Sequence, residues 1–475
     1  MQRQRRKRRP LEGHKTAEKA GKMIENFGRN LTIRTTKFCC PQSETELLGF
    51  LDANRDSKIR AIGRLHSWSQ VIEANEVVVD MRHFRAIELR QSGSETVVRV
   101  GAGCQIKDVV NALQQSGLTL PTLGLIDEQS VAGAIATGTH GSGRQSLSHF
   151  VSAVRIASFF DDGRHAELDW IGTDQPQRLR AARSSLGCLG VVTEVELPVR
   201  KQYRIEEHLR RYETLEEVID QEAKYPLQQF YLVPWRWDFF AQHRVETDRK
   251  RSWHAGLYRA FWSLGMDTML HVAICSLARW LPDRCTTIAF RHLIPRLIPQ
   301  NWKVVDRSDR QLTMQHERFR HIEVEIFVPQ KHLKDSISVA IDLLKNYASR
   351  SASERYVHHY PICIRRVLPD DTLVSPGSGG KEPWYTLSFI SYARPAERQG
   401  FEAFATEIVR VMATRFDARP HWGKFCPIDA KTVAKLYPNW DDFRREVSSV
   451  GDDFPFVNDW LLEFLQPLPR AAPLG

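Results

Sequence analysis

The chain has 475 residues, 42% of them hydrophobic and 26% charged. That length exceeds the roughly 250–300 residues at which a single core stops growing, so two domains are expected, and the composition excludes a disordered chain, a collagen-like fibre and a small disulfide-stapled scaffold. Of the formal net charge of +10, residues 1–22 supply +7 (nine Lys/Arg against two acidic residues), leaving no basic stripe in the body for nucleic-acid recognition.

In chain order, the charged start reads as a basic tail, solvated or drawn to an anionic membrane surface. No apolar run follows it, so no signal peptide is expected. Eight scattered cysteines, without a C-x-x-C pair or zinc-like Cys/His spacing, suit a reducing, cytoplasmic setting and predict no metal site. From about residue 58 to 200, the runs KIRAIG, EVVVDM, TVVRVGAG, AVRIASFF and GVVTEVELPV predict strands. Between them, Ile106 to Gly117 predicts an amphipathic helix stopped by its glycine. Strands alternating with helices argue for an α+β or α/β domain.

Near Arg204 the texture changes, and residues 225–330 are rich in Trp, Arg and Phe. The apolar stretch Thr268 to Ala278 is 11 residues long. A membrane span needs about 20, so this predicts a buried or interfacial helix. HIEVEIFVP then predicts a strand ending at Pro329, followed by a helix from about Leu333 to Ala348. PICIRRV, a turn-rich loop from Ser375 to Pro383, the strand YTLSFISY and a helix from Phe401 to Arg415 complete this half.

Two stretches carry chemistry. Ser130 to Gly143, SVAGAIATGTHGSG, packs four glycines, three alanines and four hydroxyl residues into 14 positions. Such a stretch lets backbone approach a ligand closely, with N–H and hydroxyl groups suited to phosphate oxygens. It is not a Rossmann fingerprint: in GAGCQI, from Gly101, Ile106 stands where the third glycine belongs. The other stretch is AIGRLHSWS, with His66 just beyond a strand that ends at Gly63.

Taken in order, these pieces resemble the FAD-binding domain of the vanillyl-alcohol oxidase and p-cresol methylhydroxylase superfamily. Further motifs are similar to one branch, the aldonolactone and alditol oxidases: GTHGSG from Gly138, SSLGCLGVVTEVEL from Ser184, VEIFVP from Val324, RPHWGK from Arg419 and FPFVNDWL from Phe454. The resemblance spans about residues 27–470. It implies an α+β chain with a basic disordered tail (1–26) and a p-cresol-methylhydroxylase-type FAD-binding domain (27–203). A substrate or cap domain (204–424), an antiparallel sheet flanked by helices, follows, and a C-terminal segment (425–475) returns to the FAD domain.

By the same resemblance, His66 matches the histidine that carries FAD covalently in many members, although Leu65 stands where they usually have glycine. Gly63, Ser67, Ser130, Gly133, Thr137, Gly138, His140, Gly141 and Gly143 would line the FAD diphosphate and ribityl chain, and Gly187, Gly190 and Val192 the adenine end. Lys424 and Arg365 match the family's active-site cations, placed to stabilise negative charge on a substrate oxygen and on the reduced flavin. His421, Leu125, Cys363 and Ser391 fall at substrate-facing positions. Cys363 replaces a usual glutamate and Leu125 a usual serine, which points away from a simple sugar alcohol towards a less polar or partly masked carbohydrate. Gly124 matches a position where a small residue leaves the flavin open to dioxygen, implying an oxidase that makes hydrogen peroxide. Two alternatives stand beside this reading. One is a dehydrogenase of the same fold that uses a quinone or cytochrome. The other is a flavin-binding, membrane-associated protein working through its tail and the segment Trp253 to Trp302.

Overall fold

Val77–Asp80 is apolar at three consecutive positions, a pattern that needs cover on both faces. It forms β4, central in a four-stranded sheet of order β1-β2-β4-β3, with β1 Lys19–Glu25, β2 Thr32–Cys39 and β3 Ile59–Ile62. β2 and β3 both run parallel to β4, and the helix Glu44–Asp52 makes the crossover between them. Parallel neighbours need such a crossover, because a tight turn can join only antiparallel ones. The computed structural model describes residues 19–160, 165–264, 298–314, 320–394, 398–451 and 453–466, and within 265–297 residues 272, 276, 280, 283–288, 291, 292 and 296. The stretch Thr268 to Ala278 lies outside the described residues except for Val272 and Ser276.

One boundary of the tail moves. Residues 19–25 are β1, paired antiparallel to β2 with Lys22 opposite Thr35 and Ile24 opposite Ile33. Ile24 packs on a small cluster of Ile33, Phe38, Ile62 and Val78. Its inward position is a single residue among Lys19, Lys22 and Glu25, too short an alternation to read against the surrounding charge.

A five-stranded antiparallel sheet follows, of order β5-β6-β10-β8-β9: β5 Ile87–Ser92, β6 Glu95–Gly101, β8 Ala153–Ser158, β9 Glu167–Ile171 and β10 Val191–Pro198. The short pair β7 Leu118–Thr119 and β11 Arg200–Lys201 closes the unit. The predicted helix is Ile106–Gln114, with Ile106, Val109, Val110 and Leu113 on its buried side. The C-terminal helices Ala430–Leu436, Trp440–Ser448 and Asp459–Leu465 bury Val433, Phe443, Leu461 and Phe464 in this same core.

At Arg204 the chain enters an eight-stranded antiparallel sheet of order β15-β12-β14-β13-β17-β18-β16-β19. Its strands are β12 Arg204–Tyr212, β13 Gln229–Leu232, β14 Phe239–Thr247, β15 Val304–Arg307, β16 His321–Pro329, β17 Ile362–Val367, β18 Trp384–Tyr392 and β19 Arg419–Pro420. The helices Leu333–Ser349 and Phe401–Phe416 cover one face, where Ile322, Val324, Ile364, Leu387 and Phe389 meet Leu344, Phe404, Ile408 and Met412. The alternate residues of β16, β17 and β18 point the other way, towards the first half of the chain.

Trp422 locks the C-terminal segment to the first core. Its ring is 1% exposed, lies among Tyr437, Trp440, Trp460 and Phe464, and donates Nε1–H to the Val374 carbonyl at 2.8 Å. Replacing it with alanine removes that bond and leaves a large cavity, for which about 3–5 kcal/mol of lost stability is expected. Denaturant unfolding checks this, with Trp422→Phe falling between the two; a loss below about 1 kcal/mol would mean the segment is held elsewhere.

Candidate active site

Between the two halves lies a cleft of about 1550 Å³, part of it open to solvent. One wall is the exit of β3, Gly63 to Trp68, packed on the helix Val131–Ala136. A Cβ on Gly63 would lie 2.0 Å from Ser130 Oγ, so only glycine allows that packing.

Leu65 has φ +58°, in the left-handed region, which explains why glycine suits this position. A non-glycine residue there costs roughly 1–2 kcal/mol. The strained turn sends His66 into the cleft against Phe27, at 5.0 Å between rings. Burial first, then the charges of Arg64 and Lys424, push the His66 pKa down to about 4. The imidazole is therefore neutral, and its Nδ1 is buried without a hydrogen-bond partner. A neutral ring with an unused nitrogen is the state that can bond to an electrophilic carbon.

Arg60, which the sequence reading passed over, lines the same wall. Its guanidinium is buried and donates to four carbonyls, those of Val71 (2.6 Å), Leu186 (2.7 Å), Gly187 (3.2 Å) and Phe456 (2.6 Å). Its Nε has no partner. These bonds join β3, the Leu186–Gly187 turn and the C-terminal segment around the adenine end assigned from the sequence.

The opposite wall is the sheet. His321, Glu323 and Glu325 alternate along β16, with Cys363 and Arg365 on β17 and Ser388 and Ile390 on β18. The register sets Glu325, Ser388, Cys363 and Tyr231 side by side across four strands. Lys424 Nζ lies 2.6 Å from Glu323 Oε2 and 4.4 Å above the Trp68 ring. Burial opposes the Glu323 charge, but Lys424 and His321 outweigh it and hold the carboxyl well below its usual range. Burial likewise opposes ionisation of Glu325, which His140, then Lys424 and His421, overcome. His140 Nε2 is 3.3 Å from Glu325 Oε1, and Arg365 lies 3.7 Å from the same oxygen. Burial pushes the Cys363 thiol up, so it faces the cleft as a neutral group.

His140, Glu325 and His421 have ligand atoms within 4.8 Å of one another, a spacing that could suit a metal ion. The hydrogen bonds point to protons instead. Gly423 N–H donates to His421 Nδ1 at 3.0 Å, occupying that lone pair and leaving the proton on Nε2. Burial pushes the His421 pKa down to about 3, so the ring stays neutral.

Of the residues singled out from the sequence, Gly63, His66, Ser67, Leu125, Ser130, Gly133, Thr137, His140, Gly187, Gly190, Val192, Cys363, Arg365, His421 and Lys424 all line this cleft. Five do not. Added Cβ atoms on Gly141 and Gly143 would meet the Leu123 carbonyl at 2.4 Å and the Pro226 carbonyl at 1.9 Å, and one on Gly138 would press on Pro376 at 3.1 Å. These glycines pack the loop against neighbouring chain. Gly124 likewise faces the Thr139 methyl, at 2.7 Å from an added Cβ. Ser391 is on the helix-facing side of β18, beside Tyr356, because Ser388 and Ile390 take the cleft side. Ser388, whose hydroxyl is buried without a partner, occupies the polar position expected of Ser391.

The cleft fits FAD: its walls carry the glycine turns assigned to the cofactor, and His66 Nδ1, Arg60 Nε and Ser388 Oγ are buried without partners. Fold and site together define a two-domain flavoprotein oxidoreductase of the p-cresol methylhydroxylase type. The D-arabinono-1,4-lactone oxidase family model matches residues 195–464 and an FAD-binding domain model matches residues 36–169, so the chain belongs to that family. It is 43% identical to a long-chain alcohol oxidase from an uncultured marine euryarchaeote, over 94% of this chain and 98% of that one. It is also 26% identical to L-gulono-1,4-lactone dehydrogenase of Mycobacterium tuberculosis, over 90% and 95% of the two chains. Its fold is similar to that of cholesterol oxidase from Brevibacterium sterolicum, with a TM-score of 0.77 at 16% identity, covering 96% of this chain and 99% of that one.

The Glu323–Lys424 pair has a pH signature. Because the folded carboxyl is depressed from its ordinary 4.5, its stabilisation is present above that value and lost as pH falls below it. The Tm difference between the wild type and Glu323→Gln is therefore expected to be largest near neutrality and to narrow below pH 4.5. A difference that widened in acid would contradict the pairing.

Proposed function

We propose that the protein oxidises the CH–OH group of an alcohol with a largely apolar body, using FAD tethered through His66 and dioxygen as acceptor. The observation that carries this reading is the polarity of the cleft. Charged groups gather at Lys424, Arg365, Glu323 and Glu325, while Leu125, Ile126 and Ile390 line it with hydrocarbon. The 43% identity to a long-chain alcohol oxidase supports an apolar donor.

FAD, when bound, supplies the two-electron acceptor for the carbinol hydride. The chain's own work is electrostatic. As the carbinol loses hydride, its hydroxyl proton passes to water through the open side of the cleft, and the negative charge that builds on the oxygen is stabilised by Lys424 and Arg365 in a buried site. The two glutamates, held ionised at depressed pKa, are weak bases; they orient the cations and accept a substrate hydroxyl. Neutral His66 has the free nitrogen a covalent tether requires.

A carbohydrate-like donor, an aldonolactone or alditol, is the second reading, favoured by one observation. Glu325 and Ser388 share the row that holds Cys363, so the carboxylate missing from position 363 has a counterpart two strands away. For the acceptor, Gly124 packs on Thr139 outside the cleft and so lends dioxygen no support of its own; the alcohol oxidase relative favours dioxygen, while the mycobacterial relative, a dehydrogenase, keeps a quinone or cytochrome open.

Anaerobic stopped-flow with a long-chain primary alcohol, a polyol and an aldonolactone ranks the donors. The alcohol is expected to bleach the flavin fastest, and Lys424→Met or Arg365→Met to slow it by about 10²–10³-fold. Faster reduction by the polyol or lactone would install the second reading. Acid precipitation is expected to leave flavin fluorescence in the pellet, and His66→Ala to move it to the supernatant; free flavin from the wild type would sink the tether. Reoxidation of the reduced enzyme in air, compared with a soluble quinone, decides the acceptor.

A further inference from the structure

Between the end of β14 at Thr247 and the start of β15 at Val304 lies an excursion of residues 248–303, of which 248–264, 298–303 and scattered positions between are described. Both ends of this excursion are anchored. His254 is bonded to the Lys303 carbonyl at 3.0 Å and stacks on Trp302, and Tyr258 donates to the buried Glu207 at 2.6 Å. Ala255, Tyr258 and Val304 form the buried cluster beneath.

Among the described residues, its outward side carries large apolar side chains beside basic ones. Trp253 is 92% exposed and Trp280 78%, with Leu257, Leu264, Val272 and Ile288 each more than half exposed. Among the described residues these are six of the eight large exposed hydrophobics, so the patch is local to this excursion and not a general property of the surface. Val272, Ser276 and Trp280 are each helical and exposed at four-residue spacing, which places them on one side.

The charge of the stretch selects what covers it. Arg249 and Arg251 are spent on Glu206 and Asp306. Residues 252–303 still hold six Lys/Arg against two Asp, and residues 1–22 add +7. A second copy would bring like charge to like charge. Exposed tryptophans and aliphatic residues among basic ones match an interfacial, anionic lipid surface.

We propose that the exposed residues Trp253, Leu257, Leu264, Val272, Trp280 and Ile288 form a peripheral docking face for an anionic lipid bilayer. This deepens the reading above, since a membrane is where an apolar alcohol concentrates. The tail adds long-range attraction, and the two tryptophans provide insertion.

The full-length holoprotein is tested by flotation with phosphatidylcholine vesicles, with and without phosphatidylglycerol. Binding is expected only with the anionic lipid, weakened by salt, with a blue shift of tryptophan emission. Trp253→Ser combined with Trp280→Ser is expected to weaken it about tenfold, with the flavin spectrum and turnover of a short soluble alcohol unchanged. Removal of residues 1–18 is expected to weaken binding but leave the blue shift. The proposal is overturned by no vesicle binding, by unchanged binding of the double variant, by complete loss on tail removal, or by a dimer that the double variant abolishes. Failure of alcohol turnover with vesicle binding intact would sink the substrate reading and leave the docking face standing.

Discussion

Two carboxylates buried on one side of β16 are the constraint around which the molecule is assembled. An ionised carboxylate inside a protein is tolerable only when cations and hydrogen bonds replace its water. Glu323 obtains Lys424 from the C-terminal segment, and Glu325 obtains His140 from the glycine-rich loop and Arg365 from the next strand but one. Three parts of the chain far apart in sequence are therefore drawn to one strand of the sheet. Backbone bonds reinforce the junction: His421 N–H donates to the Glu325 carbonyl at 2.9 Å and Phe425 N–H to the Glu323 carbonyl at 2.8 Å.

That junction fixes what the cleft can do. Its charge is fully paired, so the cations stay in place until a substrate oxygen arrives to share them. Preorganised charge of this kind needs no rearrangement as negative charge develops, and a buried site strengthens it. The facing wall is built on different terms. Around His66 and Arg60 the groups are single, neutral or bonded to carbonyls, and several polar atoms have no protein partner. Both walls keep buried polar atoms without a hydrogen-bond partner, Ser388 Oγ and Glu325 Oε1 on the sheet and His66 Nδ1 and Arg60 Nε opposite.

Strand and helix positions were largely legible because their periods are local. β6, β8, β10, β16 and β18, with the helices at 106, 333 and 401, follow from runs of apolar residues at period two or 3.6. The glycine-rich stretch was legible only in part. Its glycines look alike in sequence, yet Gly133 lines the cleft whereas Gly138, Gly141 and Gly143 make room for Pro376, Leu123 and Pro226. Which neighbour a missing side chain accommodates is not written beside it.

The sequence by itself determined the two-part division near residue 204, the family, and the identity of His66, Arg365 and Lys424 as groups worth placing in one site. The pairing of strands decided the rest. Glu323 and Glu325 read as polar positions in an alternating strand, which ordinarily means a solvated face. Only the packing of that face against the first domain buries them. In the same way, Ser391 and Ser388 differ by three residues and so stand on opposite faces of β18, a distinction that depends on which face meets the cleft. Local chemistry is carried by residue type, but burial and partnership arise between segments, and tertiary contact alone creates them.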